Sequence, residues 1–245
     1  MIKYHGTPMG GSKQDAHTAL AGRYALVPFS RPDDLALVVG ACRGFLADNG
    51  AYSYWRKGFA EYPHYEAYVR WVEKIQPLPG FHGAIIPDHI AGDERQNNEY
   101  LRRWPVHLTG IPVFHMHHSL DRARWLAQTY DTVALGGGRG YEQLKSASWW
   151  ARMHEIMSAF CDEYGRPLCR LHGLRMLDPK VFTKFPLASA DSVNAARNSG
   201  SSQRFAPGLT RGERACLIAD RIEQQDAPQV WLRPELLARR QLTLF

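Results

Sequence analysis

Residues 83–98 read GAIIPDHIAGDERQNN. A short apolar run, 83–87, stops at polar Asp88 and His89. Asp93 and Glu94 follow, an acidic pair of the kind that opens a helix. A brief apolar run bounded by turn residues reads as a buried strand, so this stretch is a strand, a loop and a helix start. The same unit recurs on both sides of it. Strand-like runs fall at 2–5, 24–29, 44–47, 83–87, 111–116, 132–135, 167–172 and 185–190. Helical patterns lie at 31–41, 62–75, 93–104, 119–129, 146–164 and 210–224. Pro32 opens the first of these, Ser119 caps the fourth, and Gly165 follows the fifth as a C′ residue. Strands alternating with helices imply a parallel sheet. About eight strands in 245 residues match an α/β fold of TIM type, a single (β/α)₈ barrel, whose usual length is about 250 residues. Two ordinary domains are the structural alternative. The segment 198–212, rich in Gly and Ser, is expected to be a long flexible loop, and 213–245 a C-terminal helical segment.

Composition narrows the class. With 44% hydrophobic and 22% charged residues, the chain has the make-up of a globular protein rather than a disordered or fibrous one. No stretch approaches the ~18 apolar residues of a membrane span, and the first fifteen residues carry no apolar signal core. The expectation is a cytosolic protein with no membrane partner. Cys42, Cys161, Cys169 and Cys216 are scattered, with no CxxC pair to suggest a zinc ribbon or redox motif. The net charge is +6, with a pI of about 9.2, and arginine well outnumbers lysine. That balance suits a phosphate-bearing partner.

Active sites of this fold lie where strands give way to βα loops. Those positions hold His5, Thr7, Asp48, Asp88, His89, His115, His117, Gly136, Gly137, Gly138, His172 and Asp191. Asp48 precedes Asn49-Gly50, a tight-turn signal. It reads either as a turn cap or as a proton-moving carboxylate. Asp88 reads as a salt-bridged Asp or as an acceptor for the N–H groups of a base. Asp191 stands between Ala190 and Ser192, small neighbours that leave room for a substrate. A carboxylate there can attack an anomeric carbon and hold the sugar as an ester. The glycines of ALGGGRGY (134–141) allow a ligand close to the backbone. In VFHMHHS (113–119), His115 and His117 share a face if the strand persists. With Asp191 and His172 they would then form a zinc-type site and a metal-dependent hydrolase. Otherwise they bond substrate or fill the barrel. Arg197, Arg204, Arg211 and Arg214, on or near the Gly/Ser-rich loop, are candidate contacts to nucleic-acid phosphates. Tyr52, Tyr54 and Trp55 are candidate stacking platforms.

At these residues the chain resembles the tRNA-guanine transglycosylase superfamily, most of all the compact phage-encoded DNA 7-deazaguanine transglycosylases. ADNGAYSYW (47–55) resembles the segment bearing an essential aspartate. IIPDHIAGDERQNN (85–98) resembles the segment whose aspartate grips the base. ALGGGRGY resembles the family's glycine-rich turn. LHGLRMLDP (171–179) with FPLASADSVNAARN (185–198) resembles the segment ending in the nucleophile. The order agrees over residues 1 to about 200. The resemblance implies exchange of guanine for a free 7-deazaguanine base. The nucleic acid would be DNA in preference to tRNA. Asp191 would be the nucleophile, Asp48 would shuttle the proton, and Asp88, Gly136, Gly137, Gly138 and His172 would meet the base. No metal, ATP or redox cofactor is implied. Two departures stand out. The C-terminal zinc motif of the tRNA enzymes is missing, and HMHHS replaces a glutamine-glycine segment, so His115 or His117 would substitute for that glutamine. A non-catalytic nucleic-acid-binding relative is the other alternative.

Overall fold

A computed structural model describes residues 1–59, 61–200 and 206–233. Its strands are β1 (Ile2–Gly6), β2 (Tyr24–Pro28), β3 (Gly44–Asp48), β4 (Phe81–Ile85), β5 (Gly110–Ile111), β6 (Val113–His115), β7 (Thr132–Gly136), β8 (Arg170–Gly173) and β9 (Ser189–Ser192). They pair in the order β5-β4-β3-β2-β1-β9-β8-β7-β6, and every pairing is parallel. The two ends of that order, β5 and β6, are consecutive in the chain. Only Pro112 separates them. Proline has no N–H to give a ladder, but its carbonyl still accepts from Ala134 N at 2.9 Å. Residues 110–115 are thus one interrupted strand, joined to β4 through β5 and to β7 through β6. The ring closes through it, and the fold is the expected TIM-type barrel of eight strand positions.

Side chains alternate across each strand, and this alternation sorts the core. Tyr4, Leu26, Leu46, Ile85, Ile111, Val113 and Ala134 form one buried cluster. Each comes from a different strand segment, from β1 to β7, and together they fill the barrel. Two larger clusters lie outside it, between strands and helices. Following the inward row two residues toward the strand ends leads from Leu46 to Asp48, from Val113 to His115, from Ala134 to Gly136 and from Ser189 to Asp191. Alternation alone therefore places these four at the mouth.

The surrounding helices are α1 (Lys13–Leu20), α2 (Leu35–Ala41), α3 (Ala51–Arg56), α4 (Tyr65–Ile75), α5 (Glu94–Arg103), α6 (Leu120–Thr129), α7 (Ala147–Phe160), α8 (Pro179–Phe182), α9 (Asn194–Asn198) and α10 (Arg211–Glu223). On α4, Tyr65, Tyr68, Val69, Val72 and Ile75 are buried at helical spacing. Tyr68 Oη donates to the Ile85 carbonyl at 2.9 Å and lies 3.3 Å from that of Ala47. It ties β3 to β4 just below Asp48 and Asp88. Asp93 caps α5 in a reciprocal box with Gln96, and Ser119 caps α6.

Some expected boundaries shift. The helix expected over 146–164 stops at Phe160. Cys161 turns extended and bridges Pro167, and Gly165, with φ of 78°, serves the turn between them. The last strand begins at Ser189, because Pro186 and its neighbours still belong to the turn leading into it. Of the loop expected over 198–212, Asn198 belongs to α9 and residues 211–212 to α10, while 201–205 lie outside the described residues. Of the C-terminal segment, α10 ends at Glu223 and 224–233 is not helical, while 234–245 lies outside the described residues. Helix α1 was not expected. Its signal is the Ser12–Asp15 capping box. Asp15 Oδ1 also accepts from Gly212 N at 2.7 Å, which seats α10 against α1. No helix among the described residues is long and apolar enough to cross a membrane.

Candidate active site

The C-terminal ends of the strands surround a cavity of about 640 Å³, within the usual range of about 300–1,000 Å³ for small-molecule sites. Asp48, Asp88, Asp191, His115, Gly136, Gly137, Gly138 and Arg197 all line it. The three carboxylates lie far apart in the chain, and the closure of the barrel brings them onto one surface.

Each carboxylate is held differently. Asp191, only 3% exposed, accepts at Oδ1 from the Arg175 N–H at 3.0 Å. His172 Nε2 lies 3.3 Å from the same oxygen, and its Nδ1 lies 2.8 Å from the Ser189 hydroxyl. One carboxylate oxygen is thereby fixed from below. Asp88 is gripped at both oxygens. Asn49 Nδ2 donates to Oδ1 at 2.8 Å, and His115 Nε2 lies 2.9 Å from Oδ2. A carboxylate accepts, so that histidine nitrogen carries the proton. Asn49 is itself held. Its Nδ2 also reaches the Ile86 carbonyl, its Oδ1 accepts from Ala51 N, and its carbonyl accepts from Tyr62 Oη. Asp88 therefore presents a fixed rim of lone pairs to the cavity.

Asp48 has the least support, a 3.2 Å bond from Gly50 N to Oδ2. Its carboxyl is pushed up to about 7. Burial is the larger cause and the charges of Asp191 and Asp88 add to it, while the Gly50 N–H pulls the other way. A carboxyl that gains and loses a proton near neutrality, beside a second carboxylate held rigid, is the pairing that acid–base and nucleophilic roles require.

The glycine turn is built by contact. A Cβ on Gly138, where φ is 105°, would fall 2.5 Å from His117 Nδ1, and one on Gly136 would fall 3.2 Å from His115 Nδ1. The turn runs against the two imidazoles and leaves its backbone to the cavity.

Several expected roles move. His172 does not face the cavity. It is fully buried beneath Asp191, 5.8 Å between ring centroids from Tyr4, so it supports that carboxylate instead of meeting a base. His117 does not join His115 on a strand face, because β6 ends at His115 and the chain turns. His117 Nε2 lies 2.7 Å from the Gly92 carbonyl and does not line the cavity. The geometric premise of an HxH metal pair is thereby lost. Among the described residues, no group of three or more His, Cys, Asp or Glu side chains is placed to hold a metal ion. His5 faces outward to Glu223, 2.9 Å away, because it occupies the outer parity of β1.

The arginines divide in the same way. Arg197 is exposed at the mouth. Arg211 donates to the Ala196 carbonyl and the Ser199 hydroxyl, and Arg214 donates to the carbonyls of Ser199 and Leu209. These two brace the chain between α9 and α10 and do not line the cavity. Arg204 lies outside the described residues. Arg31 and Arg175 also line the mouth, and no sequence signal marked them. Of the aromatic candidates, only Tyr52 lines the cavity. Trp55 packs 5.7 Å from Tyr52, and Tyr54 packs with Phe59, Tyr62 and His64. Asn49 and Glu142, another lining residue, were missed as well. For Asn49, the Asn-Gly turn signal concealed its bond to Asp88.

Comparison with protein-family models, with curated proteins and with solved structures finds no match to this chain.

Proposed function

We propose that the protein exchanges guanine in a nucleic acid, DNA in preference to tRNA, for a free 7-deazaguanine base through a covalent aspartyl–sugar intermediate. One observation carries the reading: Asp48, Asp88 and Asp191 line a single cavity of about 640 Å³, where burial and the charges of the other two push the Asp48 carboxyl up to about 7.

In the first half-reaction, an Asp191 carboxylate oxygen attacks C1′ of the target nucleotide. The C1′–N9 bond breaks, its electron pair passes to the base, and protonated Asp48 delivers the proton that lets guanine leave neutral. The sugar is then an ester of Asp191. In the second half, the incoming base gives its N9 proton to the Asp48 carboxylate and N9 attacks C1′. The ester bond breaks and Asp191 is regenerated. Asp88 accepts from the N–H groups of the base edge in both halves, and His115 and Asn49 hold it in place. The target must be single-stranded or flipped from the stack, because its C1′ is otherwise inaccessible. Tyr52 supplies a face for the exposed base, at about 1–3 kcal/mol for a base stacked on an aromatic ring.

The test is direct. The protein is incubated with guanine-containing DNA or tRNA and a panel of 7-deazaguanine bases, and the polymer is digested to nucleosides and weighed. Incorporation by the wild type, and none by a folded Asp191→Asn variant that still binds nucleic acid, is the expected result. Full exchange by Asp191→Asn would remove that residue as nucleophile. No exchange of any base by the wild type would remove the activity.

A further inference from the structure

Arg175 does three things at once. Its backbone N–H fixes Asp191 Oδ1 at 3.0 Å. Its φ is 61°, in the left-handed region that side chains other than glycine rarely adopt. Its guanidinium lies over the Tyr52 ring, 4.0 Å from the centroid. Tyr52 begins from the end of β3 and Arg175 from the end of β8. In the ring order, β2, β1 and β9 stand between those strands on one side. On the other side stand β4, the interrupted strand β5–β6, and β7. The two strands are diametrically opposite, so the stack joins opposite sides of the mouth. It covers the face of Tyr52, the one Phe, Tyr or Trp ring that lines the cavity among the described residues, and the cation doing so is exposed to solvent.

We propose that Arg175 is a strand-binding residue that exchanges partners as the substrate seats: the target base takes its place on Tyr52, and the freed guanidinium pairs with a backbone phosphate beside that base. The inference rests on the base-exchange reading and deepens it. A guanidinium leaves an aromatic face readily when an anion with matching oxygens is offered, and a stacked base fills the vacated surface. Free base brings no phosphate, so it must displace Arg175 without compensation. Arg175 therefore opposes binding of a lone base and favours a base carried on a strand. The backbone N–H holds Asp191 throughout, because that bond does not depend on the side chain.

Arg175→Gly separates the two roles, since glycine accepts the positive φ and retains the N–H to Asp191. Binding of free guanine and of a labelled single-stranded oligodeoxynucleotide with one guanine is measured over a range of salt. Arg175→Gly is expected to raise guanine affinity by about threefold, the size of an exposed cation–π contact. It is expected to weaken oligonucleotide binding, and to reduce the slope of log K against log salt by about 0.7. Arg175→Lys, which keeps the charge, should retain the slope. Wild-type binding of both ligands with affinities that move in the same direction, or not at all, in Arg175→Gly overturns this proposal alone. Wild-type protein that binds neither ligand overturns the base-exchange reading and this proposal with it.

Discussion

Replacing Asp48 by Asn is expected to stabilise the protein, and to do so only where the aspartate would be charged. The carboxyl moves from 3.8 in the unfolded chain to about 7 in the fold. Between those values the folded state binds the proton that the unfolded state has lost, so wild-type stability falls as pH rises through this window and is level above it. Three pKa units at about 1.4 kcal/mol each set a ceiling of about 4 kcal/mol on the cost of the charged form. Asparagine is neutral at every pH, and its side-chain oxygen can still accept from Gly50. The difference in melting temperature between Asp48→Asn and wild type should be near zero at pH 4, widen between about 4 and about 7, and stay constant above. For a chain of this size, about 2–4 °C accompanies each kcal/mol, so a gain of several degrees is expected at pH 8.5. Scanning calorimetry of both proteins at half-unit intervals from pH 4 to 9 reads the curve. A gap that does not vary with pH, or a variant less stable than wild type at pH 8.5, would refute the claim that Asp48 sits in a field that disfavours its charge.

The same titration divides the two half-reactions. In the proposed exchange, release of guanine would need protonated Asp48 and should decline above pH about 7, whereas attack by the incoming base would need the carboxylate and should decline below it; half-reaction rates that fall on the same side of neutrality would contradict the shuttle. Gly138→Ala places a Cβ 2.5 Å from His117 Nδ1 at a φ of 105°, and should cost about 1–3 kcal/mol of stability and weaken base binding. Gly140→Ala, with a φ of 83° and no atom within 4 Å of the added carbon, should cost less and spare binding, and equal effects in urea titrations would show that contact with His117 is irrelevant. Arg197→Ala should flatten the salt dependence of oligonucleotide affinity by about one phosphate contact. Arg214→Ala, which removes donors to the Ser199 and Leu209 carbonyls, should lower the melting temperature and leave that slope unchanged.

The candidate site was legible wherever the information is periodic. Asp48 and Asp191 end inward-facing rows, and a strand's alternation is written in its residues. His172 shows the limit. Its inward direction on β8 was readable, but its height was not. It pairs with Ser189 on the neighbouring strand β9 and lies one layer below the mouth, a consequence of register between strands. His117 failed because a shared face with His115 needed the strand to persist beyond its expected end at 116, and it stops at His115. Arg211 and Arg214 looked like any other arginines near a glycine-rich loop. Their partners, in α9 and in the segment that follows it, come within reach only once α9 and α10 pack.

What the amino-acid order decides here is local. It sets the eight apolar runs, the acids and hydroxyls that start the helices, and the parity that turns Asp48, His115, Gly136 and Asp191 inward. Chain closure decides the rest. Pro112 interrupts a strand without opening the ring, Asn49 and His115 meet on Asp88, and Arg175 reaches Tyr52 across the mouth. These contacts join residues dozens of positions apart, and their geometry is set by the diameter and stagger of the whole barrel, which no short window of sequence contains.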